Sequence, residues 1–234
     1  GAEAVRPKVM QLEIDGIIGP ATADYLERSL DRAEEENVAL VVLRMDIFGG
    51  LDTSMRVIIK RITNSRVPVA TFVAPSGARA ASAGTYILYA SHIAAMAEGT
   101  NLGAATPVQL GGFSPGDEDS GGSTKGEGNK ADSQAKPDAS ANQEPTGNAS
   151  KRKAVNDAAA YLRSLAELRG RNLEWAEKAV RQGASLPAQE ALAAGVIDLM
   201  AKDVDDLITK LEGRRLRVLG EERTLALAGL VLGV

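Results

Sequence analysis

Hydrophobic and polar positions alternate along the first half of the chain in units of one strand followed by one helix. Residues 8–15 have the period-two pattern of a half-buried strand, and residues 38–45 and 67–73 are apolar runs typical of buried strands. Residues 21–37 and 52–64 carry apolar side chains at helical spacing. This order predicts an α/β fold in which helices pack outside a mostly parallel sheet.

The region around residue 82 combines a strand end, a turn and a helix of small residues. Pro75 and Gly77 end the strand at 67–73, and the alanine-rich residues 80–91 predict a buried helix. Ser82 then lies near the first turn of that helix, where small neighbours admit a substrate backbone and free N–H groups stabilise negative charge. Ser82 is therefore a candidate nucleophile. An isolated serine in this setting is more often a packed core residue, so support for a catalytic role must come from residues elsewhere in the chain.

A polar stretch at residues 111–154 interrupts the pattern. It contains no Leu, Ile, Val or Met, and Phe113 is its only aromatic residue. Such a stretch buries too little apolar surface to offset its ordering entropy, so we expect disorder at about 111–150, as a lid or a tether. We expect residues 1–234 to form a single domain interrupted by this loop, rather than two domains joined by a linker.

Helical periodicity returns after the polar stretch. Residues 155–169 predict a strong helix with four side chains inward: Ala158, Leu162, Leu165 and Leu168. Asn172 is predicted to cap the next helix, and Ser185 is predicted as the N-cap of a third, with Pro187 in its first turn. A strand at 196–200, a further helix and a terminal hairpin complete the pattern.

Composition excludes several classes of function. A net charge of -4 and 3% aromatic residues argue against a nucleic-acid surface. Cysteine is absent, and His92 is the single histidine, in a strand-like stretch where a structural role is the commoner one. Thiolate chemistry and a zinc site built on several histidines are therefore excluded, and we expect no cofactor. No run reaches the roughly 20 apolar residues of a membrane span, so we expect this chain itself to be soluble.

A lysine at the start of the helix after the polar stretch is the candidate base. A lysine can accept the proton of a serine hydroxyl when its amine is neutral. Lys153 is predicted in the first helical turn, where the helix dipole disfavours a further positive charge. Asp157, one turn on, opposes this effect, so we expect its carboxylate to point elsewhere or to be engaged. Lys151 is a weaker candidate because it lies closer to the polar stretch, and a lysine at a helix start is by itself more often only a solvated charge.

Short motifs follow one another in a fixed order along the chain. They are ARAASAGTY at 78–86, SH at 91–92, GTNLGA at 99–104, KAVND at 153–157, YLRSLA at 161–166, GRN at 170–172, WAE at 175–177 and EALAAGVID at 190–198. Together they resemble the protease domain of NfeD-type membrane-bound serine proteases. The resemblance covers nearly the whole chain except the polar loop.

This resemblance implies a Clp-protease/crotonase-type fold, a spiral of β-β-α units, and a serine endopeptidase with a Ser–Lys dyad. Ser82 would attack the scissile carbonyl and Lys153 would take its proton. The backbone N–H groups of Gly50 and Ala83 would hold the oxyanion. The substrate-binding residues expected beside them are Phe48, Gly49 and Leu51.

The resemblance also implies partners. Members of the family cleave apolar segments, notably the hydrophobic C-terminal region of stomatin-like proteins, so a hydrophobic peptide segment is the expected substrate. Membrane association through segments outside this chain, an extracytoplasmic protease domain and a homo-oligomer (a dimer or larger) are expected on the same ground.

One stretch departs from the family pattern. Where the family usually has Asp-Thr-Pro-Gly-Gly, residues 46–50 read Asp-Ile-Phe-Gly-Gly, which keeps the two glycines of the expected turn and loses the stiffening proline. A reshaped substrate groove at Phe48 is expected. A non-catalytic scaffold that holds a hydrophobic segment is therefore one alternative. An acyl-CoA enzyme of the crotonase type is a second, although such enzymes use carboxylates and would leave the serine and lysine unexplained.

Overall fold

Strands and helices alternate through residues 6–108 and 147–233, the two parts of the chain that the computed structural model describes. The helices are α1 (Pro20–Glu35), α2 (Asp52–Thr63), α3 (Ala83–Ala90), α4 (Gly147–Arg169), α5 (Leu173–Arg181), α6 (Ala188–Ala193) and α7 (Val204–Leu211). The strands are β1 (Lys8–Ile18), β2 (Leu40–Gly50), β3 (Val69–Val73), β4 (Arg79–Ala81), β5 (Ile93–Met96), β6 (Asn101–Gly103), β7 (Ser185–Pro187), β8 (Leu199–Met200), β9 (Arg215–Val218), β10 (Glu221–Thr224) and β11 (Val231–Gly233).

The long strand β2 is the branch point of the main sheet. Along one edge it pairs in parallel with β1, from Leu40 to Gly50. Along the other edge its first half pairs with β3, and Ile47, nearer its end, pairs with Ala80 of β4. The sheet continues from β3 to β5 and β8 on one branch, and from β4 to β6 and β7 on the other. The end of β2 therefore lies beside the turn that follows β4.

The order strand–strand–helix recurs as β3-β4-α3 and β5-β6-α4. Apart from β7, which runs antiparallel to β6, every pairing in the main sheet is parallel. This confirms the predicted α/β class with a mostly parallel sheet and outer helices.

Both faces of the sheet are buried, because the strands place alternate side chains on opposite faces. Val41 and Leu43 of β2 face the larger core, which helices α1 to α5 cover. Leu40 and Val42 face a smaller core closed by α7 and the chain after the β9–β10 hairpin. The continuous apolar run at 38–43 thus has the double burial that its pattern predicted.

Local boundaries differ from the sequence predictions at two short strands. Residues 79–81 form β4 rather than the first turn of a helix, because their backbone pairs with β6. Ser185 begins β7 rather than capping a helix, because residues 185–187 pair with β6, and the N-cap of α6 is Pro187. Asn172 caps α5 as predicted, its Oδ1 accepting from the Trp175 N–H at 2.8 Å.

Helix α4 is longer than predicted and buries a different set of side chains. It begins at Gly147, so residues 147–150 are helical although the prediction included them in the disordered loop. The rest of the predicted disordered loop, through residue 146, lies outside the described residues. Ala158, Leu162 and Leu165 are buried as predicted, but Leu168 is 56% exposed, and Ala166 is buried instead.

Candidate active site

Ser82 occupies a sharp turn between β4 and α3. Its backbone has φ 53° and ψ −115°, a conformation that costs an L-residue energy and is characteristic of functional positions. The turn is fixed on both sides, since the Ser82 N–H donates to the Gly103 carbonyl and the Ser82 carbonyl accepts from the Thr85 N–H, both at 3.0 Å. Among the described residues, no hydrogen bond engages the Ser82 hydroxyl. A strand–serine–helix turn of this kind presents the hydroxyl outward, as in enzymes with a nucleophilic serine.

Thr85 locks this turn, a role that the sequence reasoning missed. Its fully buried Oγ1 lies 2.8 Å from the Ala80 carbonyl oxygen and 3.0 Å from that of Gly103, and it accepts from the Gly103 N–H at 3.1 Å. One hydroxyl therefore ties the ends of β4 and β6 together directly under Ser82. The available signal was a threonine in a helix of otherwise apolar and aromatic residues, three positions after the candidate serine.

A cavity of about 460 Å³ opens beside Ser82. It lies between the ends of β1 and β2, the first turns of α2 and α3, and one face of α4. Most of its wall is apolar or aromatic. The lining residues are Ile17, Gly50, Leu51, Asp52, Met55, Arg56, Ser82, Ala83, Tyr86, Ala105, Thr106, Pro107, Val108, Ala158 and Tyr161.

Gly50 reaches this cavity from the last position of β2, which is still strand and not the turn that the sequence predicted. Gly50 pairs with Ile18, and the next N–H, that of Leu51, donates to the Ile18 carbonyl at 3.0 Å. Because alternate N–H groups of a parallel strand bond to the same neighbour, the Gly50 N–H points away from β1, toward the β4 side. A Cβ at position 50 would lie 2.5 Å from the Ile18 Cβ, so the close approach of the two strands requires glycine.

Two tyrosines and an arginine form the wall opposite β1. The rings of Tyr86 and Tyr161 stack with their centroids 6.0 Å apart, and the Arg56 guanidinium lies 4.1 Å from the Tyr161 ring centroid. Arg56 also donates to Asp52 at 3.0 Å and to Asp157 at 2.9 Å. Burial disfavours the charged guanidinium, but the two carboxylates outweigh that effect and raise the pKa of Arg56.

Four of the predicted site residues therefore meet at one cavity: Ser82, Ala83, Gly50 and Leu51. The other two on β2, Phe48 and Gly49, do not line it. Phe48 is half exposed, and the Arg79 guanidinium lies 5.2 Å from the centroid of its ring.

Lys153 is exposed and occupies the seventh position of α4, in the second turn rather than the predicted first. The helix dipole acts mainly within the first turn, so that part of the sequence argument for Lys153 does not hold. Asp157 is engaged by Arg56, as expected. No contact between Lys153 and Ser82 occurs among the described residues.

The NfeD1b N-terminal domain family matches residues 8–212 of this chain. The chain belongs to this family. It is 34% identical over 206 residues to the membrane-bound protease PH1510 of Pyrococcus horikoshii, an alignment that covers 88% of this chain and 40% of that protein. It is 35% identical over 108 residues to the membrane protein NfeD1b of Bacillus subtilis, covering 46% and 24%. This NfeD1b domain thus spans less than half the length of the curated relatives that it matches.

Solved structures give the same relationship. One is a membrane-bound, stomatin-specific protease, solved as a lysine-to-alanine mutant in complex with a substrate peptide. It superposes on this chain with a TM-score of 0.79 at 33% identity, covering 97% of this chain and 91% of that one. A serine-to-alanine mutant of such a protease gives a TM-score of 0.78 at 32% identity, covering 98% and 97%. The resemblance drawn from the sequence motifs is confirmed. No helix in the described part of the chain has the length and hydrophobicity needed to cross a bilayer.

His92 of this NfeD1b domain lies apart from the cavity lining and is buried. Its Nδ1 accepts from the Val69 N–H at 3.0 Å, which leaves the proton of a neutral ring on Nε2. Burial, together with the nearby charges of Arg169 and Arg171, lowers the pKa of His92 to about 3. The imidazole is therefore neutral at ordinary pH and links the start of β3 to that of β5.

Proposed function

We propose that this domain is a serine endopeptidase in which Ser82 is the nucleophile and Lys153 the general base. The observation that carries this proposal is the Ser82 turn, where a strained backbone aims a hydroxyl without a described hydrogen bond into a largely apolar cavity. The relatives support it, since one is named a protease and two were solved as serine and lysine mutants.

The chemistry proceeds by acyl transfer. The Ser82 Oγ forms a bond to the scissile carbonyl carbon while its proton passes to the Lys153 amine, and the carbonyl electron pair moves to oxygen. The N–H groups of Gly50 and Ala83 hold that oxyanion, since the first points toward the β4 side and the second is a free donor at the start of α3. The C–N bond then breaks, and the leaving amine takes the proton from Lys153. Water repeats both steps to release the acyl group from Ser82.

The place of Lys153 on α4 supports its proposed role as the base. Tyr161 lines the cavity, Asp157 lies one turn before it and contacts Arg56, and Lys153 lies one turn before Asp157 on the same helical stripe. This stripe leads from the cavity wall to its mouth. Because Lys153 is exposed, the dyad closes only when this part of α4 moves toward Ser82. We expect a substrate, a partner or a second subunit to drive that movement.

An apolar peptide segment is the substrate class that fits the cavity. Ile17, Leu51, Met55 and Val108 contribute aliphatic side chains to the wall, and burying such a segment there is favourable. The stomatin-specific relatives make the hydrophobic C-terminal region of a stomatin-like protein the leading candidate. Membrane association through segments outside this chain and an extracytoplasmic protease domain belong to this proposal, and a relative that is named membrane-bound supports the association. A homo-oligomer and a single domain over residues 1–234 belong to the same proposal.

One observation favours a second function. Lys153 is exposed and has no described contact with Ser82, which also suits a scaffold that binds an apolar segment without cutting it. The two functions share the cavity and differ only in whether a peptide bond breaks.

Cleavage of an apolar peptide panel, with polar peptides of equal length as controls, separates the two functions. The endopeptidase predicts internal cleavage of apolar peptides alone. Lys153→Ala lowers kcat by about 10²–10⁴-fold, whereas the adjacent Arg152→Ala does not, because only the former removes the base. Tight peptide binding without cleavage by the unmodified protein would establish the scaffold instead.

A further inference from the structure

The first three turns of α4 form an overhang, residues 147–157, that carries Lys153 but has little packing of its own. The first buried residue of α4 is Ala158, and within the overhang only Ala149, Ala154 and Val155 are even half-buried. Most helical stability in proteins comes from packing of an apolar face. Apart from Val155, which packs against the larger core, the overhang depends on polar contacts for its position.

Two such contacts are present, one on each side of the helix. Asp157 accepts from the Arg56 guanidinium of α2 at 2.9 Å, and Asn156 accepts from Arg181 of α5 at 2.8 Å. The contact to α2 lies on the helical stripe of Lys153, one turn away. It is also the one that reaches the cavity, because Arg56 lines it.

Arg56 is itself rigidly held. Its Nε donates to Asp52 at 3.0 Å, and its guanidinium rests on the ring of Tyr161. A planar guanidinium that stacks on a ring and already pairs with one carboxylate has a fixed orientation, so its remaining N–H groups point in a defined direction. Arg56 thus fixes Asp157 relative to the cavity wall, and Asp157 lies one helical turn from Lys153.

The Arg56–Asp157 ion pair also engages the carboxylate that could otherwise pair with the Lys153 amine. An unpaired carboxylate four residues along a helix attracts a lysine ammonium and stabilises its charged form. The charged and titratable groups around this end of α4 are Asp157 and Tyr161 on α4 itself, Asp52 and Arg56 on α2, Tyr86 on α3 and Arg181 on α5. Of these, Asp157 is the carboxylate on the stripe of Lys153, and Arg56 holds it away.

We infer that Arg56 is a positioning residue, which through Asp157 orients the helical stripe that carries Lys153 toward the cavity and keeps the Asp157 carboxylate from pairing with the lysine amine. This role rests on the proposed function of Ser82 and Lys153. Arg56 takes no part in the bond changes.

The test compares Arg56→Gln, Asp157→Asn and the double variant, with Arg28→Gln as the matched control. Arg28 forms an exposed ion pair with Asp24 on α1, of the same kind but away from the cavity. Arg56→Gln is expected to lower kcat by about 10–100-fold with little change in KM, and to move the rise of activity to higher pH. Adding Asp157→Asn removes the competing carboxylate, so the pH profile returns toward that of the unmodified protein while kcat stays low.

Hydrogen exchange gives a readout that does not depend on cleavage. Exchange of the amides at residues 147–157 is expected to accelerate in Arg56→Gln and in Asp157→Asn, but not in Arg28→Gln. Asp157 is exposed, so Asp157→Asn weakens the tie by removing its charge, without disturbing the core.

Unchanged exchange together with an unchanged kcat and pH profile would overturn the role of Arg56. An equal pH shift in the single and double variants would overturn the part assigned to Asp157. If the proposed function is wrong, the results are different. The unmodified protein does not cleave, or Lys153→Ala cleaves at the rate of the unmodified protein, and either result is independent of the Arg56 substitution.

Discussion

Single residues decide the geometry around Ser82. The serine is held at positive φ by hydrogen bonds from both neighbouring elements, and Thr85 supplies the contacts beneath it. A strained position persists only where the surroundings over-determine it. The candidate serine was recognisable from its small neighbours. Thr85 was not, because its partner Gly103 lies eighteen residues away and only the folded sheet brings the two together.

Thr85→Val tests this support, because valine keeps the shape and loses the hydroxyl. The Gly103 N–H then has no acceptor, which is expected to cost about 1–3 kcal/mol in the free energy of unfolding. We also expect kcat to fall at least about tenfold as Ser82 relaxes. Thr85→Ser retains the hydroxyl and should preserve most of both quantities in urea unfolding and peptide cleavage. Equal losses in the two variants would contradict the role given to the hydroxyl.

Gly50→Ala tests the close approach of β1 and β2. The new Cβ meets Ile18 at 2.5 Å, so the strands must separate, at an expected cost of about 1–3 kcal/mol in the free energy of unfolding. Gly49→Ala is the matched control, since nothing lies within 4 Å of its Cβ. Urea unfolding of the two variants should differ clearly, and equal stabilities would show that position 50 does not need glycine.

At the scale of elements, periodicity predicted the long strands and helices well. α1 and α2 lie where their patterns placed them, because a long run of helical spacing leaves little ambiguity. β1 and β2 were also predicted, but they run three and five residues beyond their predicted ends. The three-residue strands β4 and β7 were missed, since they form by pairing with other short or distant strands, β4 with β2 and β6 and β7 with β6. The start of α4 was also wrong, because residues 147–154 form helix without an apolar face to signal it.

Substitutions of two leucines on α4 test which face of this helix is buried. Leu165 is buried and Leu168 is 56% exposed, although the sequence placed both inward. Leu165→Ala is expected to cost about 2–5 kcal/mol, whereas Leu168→Ala should change the free energy of unfolding by less than about 0.5 kcal/mol. A large loss for Leu168→Ala in urea unfolding would mean that this face is covered.

At the scale of the whole molecule, the site depends on how the sheet branches. β2 brings Gly50 and Leu51 to the turn after β4 because its two halves pair with different strands. The residue types of the site were predictable from sequence and from family resemblance. Their convergence was not, since pairing between strands distant in sequence leaves no local pattern. Phe48, Gly49 and Lys153 do not line the cavity, and their predicted roles come from the family resemblance.

His92 gives the fold a specific sensitivity to acid. Its pKa is lowered to about 3 in the folded protein, so the unfolded chain, with an ordinary value of about 6.5, binds more protons below that pH. Stability is therefore lost as the pH falls below about 6.5. Between about pH 7 and pH 5 the free energy of unfolding should fall by about 2 kcal/mol more than in His92→Asn. The chain has no other histidine, so parallel urea titrations of the two proteins would contradict this assignment.

The most direct single measurement is kcat/KM for an apolar peptide with the unmodified protein, Ser82→Ala and Ser76→Ala. Ser76 is an exposed loop serine whose hydroxyl donates to the Glu98 carbonyl, and it serves as the control for loss of a hydroxyl. If Ser82 is the nucleophile, Ser82→Ala loses more than about a thousandfold and Ser76→Ala is unchanged. Cleavage by Ser82→Ala within tenfold of the unmodified protein would show that Ser82 is not the nucleophile.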